Sequence, residues 1–262
     1  MAEQMVRKYE RFVAIGDSQT EGVGDPTGPG GVERGWADRF AERLAARQGE
    51  LLYANLAVRG KLLGQIDEDQ MEPALAMRPD LVSLVGGLND VIRPGCDIDL
   101  VLARMDMMQG RLAATGATVL SITYPDPALM MPMGRFLSDT MAEFNRGLRR
   151  IAERHGTLLL DVSKSTGVTD PGHWCDDRLH LNSTGHQVMA DGMFSLIEPL
   201  PAGQSWLGEI TSAQILGLPA RLAAEARWAG AFLAPWIYRR IAGKSSGDGR
   251  LAKRPELTPV EN

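Results

Sequence analysis

Strand-like and helix-like segments alternate along the first 200 residues, and this alternation constrains the fold more than any other feature of the chain. Five short apolar runs, 11–15, 51–56, 81–85, 118–123 and 157–162, are rich in Leu, Val and Ile, and the first four lead into turns containing Gly, Asn or Pro. Such runs suit strands buried on both faces. Between them Trp36, Phe40, Leu44 and Ala45 recur at helical spacing, 62–77 reads as a helix stopped by Pro79, and 99–114 ends before Gly116. The segment 138–155 carries Met141, Phe144, Leu148 and Ile151 on one face, and 183–197 completes the unit. Strand followed by helix, repeated, predicts a parallel sheet covered on both faces. Such sheets bind ligands beyond the carboxyl ends of their strands. The loops at those ends hold Ser18, Gly60, Asn89, Asp177 and His180.

Ser18 follows the first strand on the turn Gly16-Asp17-Ser18. A serine hydroxyl becomes a strong nucleophile only when an adjacent base takes its proton. Capping of a helix is the competing role, since Asp and Ser are both favoured there. Asp177-Arg178-Leu179-His180 places a carboxylate three residues before an imidazole, close enough to fix the tautomer a general base needs. Of the other histidines among the 4, His155 ends a helix, His173 lies in a Gly/Pro loop and His186 falls within the last helix. Acyl transfer also needs donors for a developing oxyanion. Gly60 and Asn89 follow the second and third strands, although each residue type is also a common turn former.

These stretches resemble the four blocks of the SGNH hydrolases, also called the GDSL esterase/lipase superfamily. The blocks are Gly16-Asp17-Ser18-Gln19-Thr20-Glu21-Gly22, Asn55-Leu56-Ala57-Val58-Arg59-Gly60, Gly87-Leu88-Asn89-Asp90 and Asp177-Arg178-Leu179-His180. Their order and spacing agree with the family over residues 11–198, and Gln19 stands where leucine is usual. The resemblance implies a three-layer α/β/α flavodoxin-like fold with a central, mainly five-stranded parallel sheet. It implies Ser18 as nucleophile, His180 as base and Asp177 as its orienter, with Asp176 the alternative. It also implies an oxyanion hole of the Ser18 and Gly60 amides and the Asn89 side chain. The expected activity is hydrolysis of acyl esters (small ester, lipid or acetylated carbohydrate) through an acyl-enzyme. Transfer of the acyl group to an alcohol or sugar uses the same groups, and a non-catalytic binding module is the reading from a different class.

Three regions follow: a hydrolase domain over 1–200, a C-terminal helical extension over 201–244 and a tail over 245–262 expected to be disordered. In the extension Leu222, Ala226, Ala229, Phe232, Leu233, Trp236 and Ile237 mark an amphipathic helix with a break at Pro235. Packing on the domain is expected of it, with dimerisation and membrane contact through Trp228, Trp236 and basic residues as competing roles. A net charge of -5 disfavours nucleic acid as a partner. The 2 cysteines, Cys96 and Cys175, suit a reducing compartment. With no apolar leader near Met1 and no run of roughly 18 apolar residues, a cytoplasmic location is expected. No metal-ligand spacing and no cofactor motif are evident, so neither is expected. Around the site, Asp17 is expected to fix its own turn, and Glu21 and Arg59 to be solvated loop charges, with a Glu21–Arg59 pair or a substrate contact as the alternatives. Met130, Met131 and Met133 are expected to line an acyl pocket, pack in the core or form a lid. His173 and Trp174 are expected as pocket wall or loop packing.

Overall fold

The computed structural model describes residues 7–27, 32–198, 200, 205–207, 218–235, 238 and 245–261. In chain order its elements are β1 (Arg11–Gly16), α1 (Ser18–Glu21), β2 (Pro26–Thr27), β3 (Val32–Glu33), α2 (Gly35–Gln48), β4 (Leu52–Asn55), α3 (Leu63–Ile66) and α4 (Glu72–Ala76). There follow β5 (Leu81–Val85), α5 (Leu88–Val91), α6 (Ile98–Ala113), β6 (Thr118–Ile122), α7 (Ser138–His155), β7 (Leu158–Leu160), α8 (Ser183–Ile197), α9 (Leu218–Trp228) and β8 (Arg254–Pro259). Six strands form one sheet in the order β7-β6-β5-β1-β4-β8, and β2 with β3 forms a separate ribbon. From β7 to β4 all pairs are parallel. This is the flavodoxin-like doubly wound order, in which the chain reverses its direction of winding beside the first strand. The crevice at that switch point lies between β1 and β5, the strands that deliver Ser18 and Asn89.

Local chemistry explains the elements. The four apolar residues predicted on one face of α7 are all buried, and Gly156, at φ +68°, closes the helix. Asp97 and Asn182 cap α6 and α8 through their side chains. α3 and α4 are one predicted helix in two pieces, joined by a π turn at Asp67–Met71. Pro73 lacks an N–H, and its ring crowds the carbonyl one turn back; widening the helix just before it relieves that conflict. Packing of α2 on α8 and of α6 on α7 supplies the helical layers. Under α2, Phe12 stacks on Tyr53 at 5.2 Å and meets Phe40 edge-on at 5.0 Å.

The expected disorder of the tail is corrected. β8 runs antiparallel to β4, pairing Leu52 with Pro259 and Tyr53 with Thr258. Its two prolines are tolerable because an edge strand leaves one side unpaired. Arg254 donates to the Tyr53 carbonyl at 2.9 Å, and its guanidinium lies over the Tyr53 ring. Lys253 donates to the carbonyls of Glu33 and Arg34 and pairs with Asp38. In the helical extension α9 continues through a π turn at Ala229–Leu233. The predicted linker at 201–203 and the basic end of the helix, 239–244, lie outside the described residues. No helix among the described residues is long and apolar enough to cross a membrane.

Candidate active site

The turn after β1 places Ser18 at the first position of α1 and gives the capping role to its neighbour. Asp17 accepts from the Gln19 amide at 3.3 Å, which leaves the Ser18 hydroxyl free for another partner. That partner is His180, whose Nε2 lies 3.0 Å from Ser18 Oγ although the residues are 162 apart in sequence. On the far side of the ring, His180 Nδ1 lies 2.6 Å from Asp177 Oδ2. The other carboxylate oxygen accepts from the amides of Leu179 at 2.9 Å and His180 at 3.0 Å. Burial pulls the Asp177 carboxyl upward, but these hydrogen bonds and the nearby imidazole outweigh it and hold the group below its ordinary value. Asp177 is therefore an anion that only accepts. Nδ1 then carries the proton, and Nε2 is left to accept from the Ser18 hydroxyl. Asp176, the alternative orienter, instead lines an outer cleft.

The two other predicted residues reach the same rim. Asn89 opens α5 behind Gly87, whose φ is +97° and where a β-carbon would come within 2.6 Å of the Phe144 ring; only glycine fits. The Asn89 amide nitrogen donates to Asp17 at 3.2 Å and to the Lys61 carbonyl at 3.1 Å. Asp17 is buried, and that burial raises its carboxyl to about 7 against the opposing hydrogen bonds and the nearby His180. Gly60 also has positive φ, +75°. Among the described residues the amides of Ser18 and Gly60 make no hydrogen bond.

Further contacts join the loops around the site. Glu21 and Arg59 form a pair, the alternative to the expected solvated loop charges. Glu21 accepts from Arg59 Nε at 2.8 Å and from the Arg59 backbone amide at 2.5 Å, which ties α1 to the Gly60 loop. Gln19, where the family usually has leucine, donates to the Leu179 carbonyl at 2.7 Å and ties α1 to the His180 turn. Beside the site is an apolar pocket of about 70 Å³ whose walls include Leu88, Tyr124, Met130, Met131, Trp174 and Leu179. Two of the three predicted methionines thus line a pocket, as does Trp174, whereas His173 is buried elsewhere beneath α8. Nothing is described of the Met133 side chain. Both cysteines are free, and burial pushes the Cys175 thiol up to about 11.

Residues 14–188 match the model of the GDSL-like Lipase/Acylhydrolase family, and the chain belongs to that family. It is a carboxylic ester hydrolase. An acetylxylan esterase of Geobacillus stearothermophilus is 25% identical over 203 residues, which span 69% of this chain and 90% of the relative. The crystal structure of that organism's acetylxylan esterase Axe2 superposes with a TM-score of 0.61 at 21% identity, covering 76% of this chain and 96% of the other. LAE5, an α/β hydrolase from the metagenome of Lake Arreo, Spain, gives 0.59 at 24% identity, covering 74% and 97%.

Proposed function

We propose that the chain hydrolyses short acyl esters through an acyl-enzyme on Ser18, with His180 as base and Asp177 as its orienter. The observation that carries this reading is the continuous hydrogen-bonded chain from Asp177 through His180 to Ser18, assembled from two ends of the fold. His180 Nε2 takes the hydroxyl proton as Ser18 Oγ attacks the ester carbonyl. Negative charge then gathers on the former carbonyl oxygen. The unpaired amides of Ser18 and Gly60 supply two donors for it, and the Asn89 side chain a third. Asn89 exchanges one of its two long resting hydrogen bonds for this one. His180 returns its proton to the leaving alcohol, and water activated by the same nitrogen releases the acid.

The small apolar pocket favours a short acyl group. An acetylated carbohydrate is the first class to test, because the curated relative is an acetylxylan esterase. Labelling with a fluorophosphonate probe tests the nucleophile: wild type is expected to label and Ser18→Ala to remain dark. Labelling that persists in the variant would contradict the assignment. A panel of p-nitrophenyl esters is expected to show the highest kcat/KM for acetyl to butyryl chains, and a maximum at octanoyl or longer would remove the short-chain reading.

A further inference from the structure

The family match ends at residue 188, yet α9, from well beyond it, touches the turn that carries Asp177 and His180. Arg178 Nη1 donates to both carboxylate oxygens of Glu225, each at 2.8 Å. The same guanidinium lies over the Trp228 ring, 5.0 Å from its centroid. Trp228 Nε1 donates to the Asp177 carbonyl at 3.3 Å. Three contacts from one helix thus fall on two consecutive residues of the turn.

Arg178 is the residue that needs them. Its φ of +58° is left-handed, and among the described residues only Arg78 shares a positive φ without being glycine. A β-carbon crowds the backbone in that conformation, so an arginine holds it only where its surroundings over-determine it. The bend at Arg178 aims the amides of Leu179 and His180 at Asp177. Relaxation to an ordinary φ would turn those amides away and move the imidazole relative to Ser18.

We infer that Glu225 and Trp228 are positioning residues: α9 is a clamp that holds Arg178 in its left-handed bend and thereby keeps Asp177 and His180 aligned on Ser18. The inference rests on the triad reading above. α9 also walls a cleft of about 570 Å³ bounded by Trp174, Asp176, Arg178, Glu225, Trp228 and Phe232. A wall acts on KM, whereas a clamp acts on kcat and on acylation.

The test uses the full chain, p-nitrophenyl acetate and the rate constant for phosphonylation of Ser18 by a fluorophosphonate, with loss of fluoride, which does not depend on how much of a sample is folded. Glu225→Gln and Trp228→Phe are each expected to lower kcat and the phosphonylation rate constant by about 10- to 100-fold, with KM nearly unchanged. Trp228→Phe keeps a smaller aromatic ring beneath Arg178 and removes the N–H. Adding Arg178→Gly to Glu225→Gln is expected to restore most of the lost kcat, because glycine adopts that φ without a partner. Wild-type kcat and phosphonylation rate in both single variants overturn the clamp, whatever happens to KM or Tm, and so does equal kcat with and without Arg178→Gly. Ser18→Ala, run alongside, separates the failures. Full activity there sinks the triad itself, whereas an inactive Ser18→Ala beside an unimpaired Glu225→Gln sinks only the clamp.

Discussion

The two sides of the candidate active site are held by different means. Ser18 and Asn89 leave adjacent parallel strands, which are in register from Phe12 opposite Leu81 to Gly16 opposite Val85. The sheet therefore fixes where that side begins, and short contacts such as the Asp17 cap do the rest. His180 lies in a loop whose only strand-like contact among the described residues is a bridge between Trp174 and Leu181. Its ties come from far along the chain: Gln19 reaches the Leu179 carbonyl, and Glu225 and Trp228 reach Arg178 and Asp177. A sheet can place one partner of a nucleophile–base pair. The other partner depends on whatever elements later pack against its loop, which makes that side open to change without disturbing the core.

Substitutions on each side sharpen the contrast. Asp177→Asn preserves the shape of the turn and favours the wrong imidazole tautomer, so kcat is expected to fall about 10⁴-fold. Because this loop stands outside the core, Tm is expected to move little; steady-state kinetics and a thermal melt check both. A loss below about tenfold would transfer the orienting role elsewhere. Asn89→Ala is expected to cost less in catalysis, on the order of 100- to 1000-fold in turnover. It removes donors from buried Asp17 and the Lys61 carbonyl, however, so it is expected to lower Tm as well. Unchanged turnover in Asn89→Ala would take this residue out of the oxyanion site.

The same contrast explains what the sequence revealed. The sheet and its helices were legible because burial on both faces leaves continuous apolar strands and one-sided helices, as in 81–85 and α7. The groups proposed to react were legible as candidates because they fall in four short blocks. Partners joined only by the fold were hidden. Glu21 and Arg59 read as separate loop charges because nothing local reports that the turns after β1 and β4 converge. β8 was hidden for a different reason. An edge strand with one face in water has neither an apolar run nor a ban on proline, so Arg254–Pro259 resembles a disordered tail. The proposed clamp on Arg178 combines both causes: an ordinary arginine in the sequence, a left-handed bend in the fold, and a partner 47 residues further on.

One buried histidine links the two sides and offers a last test of how separable they are. His186, in α8 just after the His180 loop, accepts from the Trp36 amide through Nδ1 at 3.1 Å, and its Nε2–H donates to the Val23 carbonyl at 3.1 Å. Val23 follows α1, so this ring fastens the helix behind the His180 loop to the segment behind Ser18. Burial lowers its pKa from the ordinary 6.5 to about 4. Above pH 6.5 the ring is neutral in folded and unfolded chains alike, and the stabilisation is fully present. As pH falls from 6.5 to 4 the unfolded chain takes up a proton that the folded chain refuses, so stability is lost, by up to about 3 kcal/mol. His186→Gln offers an acceptor and a donor in similar places without titrating. Urea unfolding at pH 7, 5.5 and 4.5 is expected to show a smaller loss of stability in the variant than in wild type. Parallel losses in the two proteins would mean that acid weakens the molecule elsewhere and that the seam between the two sides does not depend on this ring.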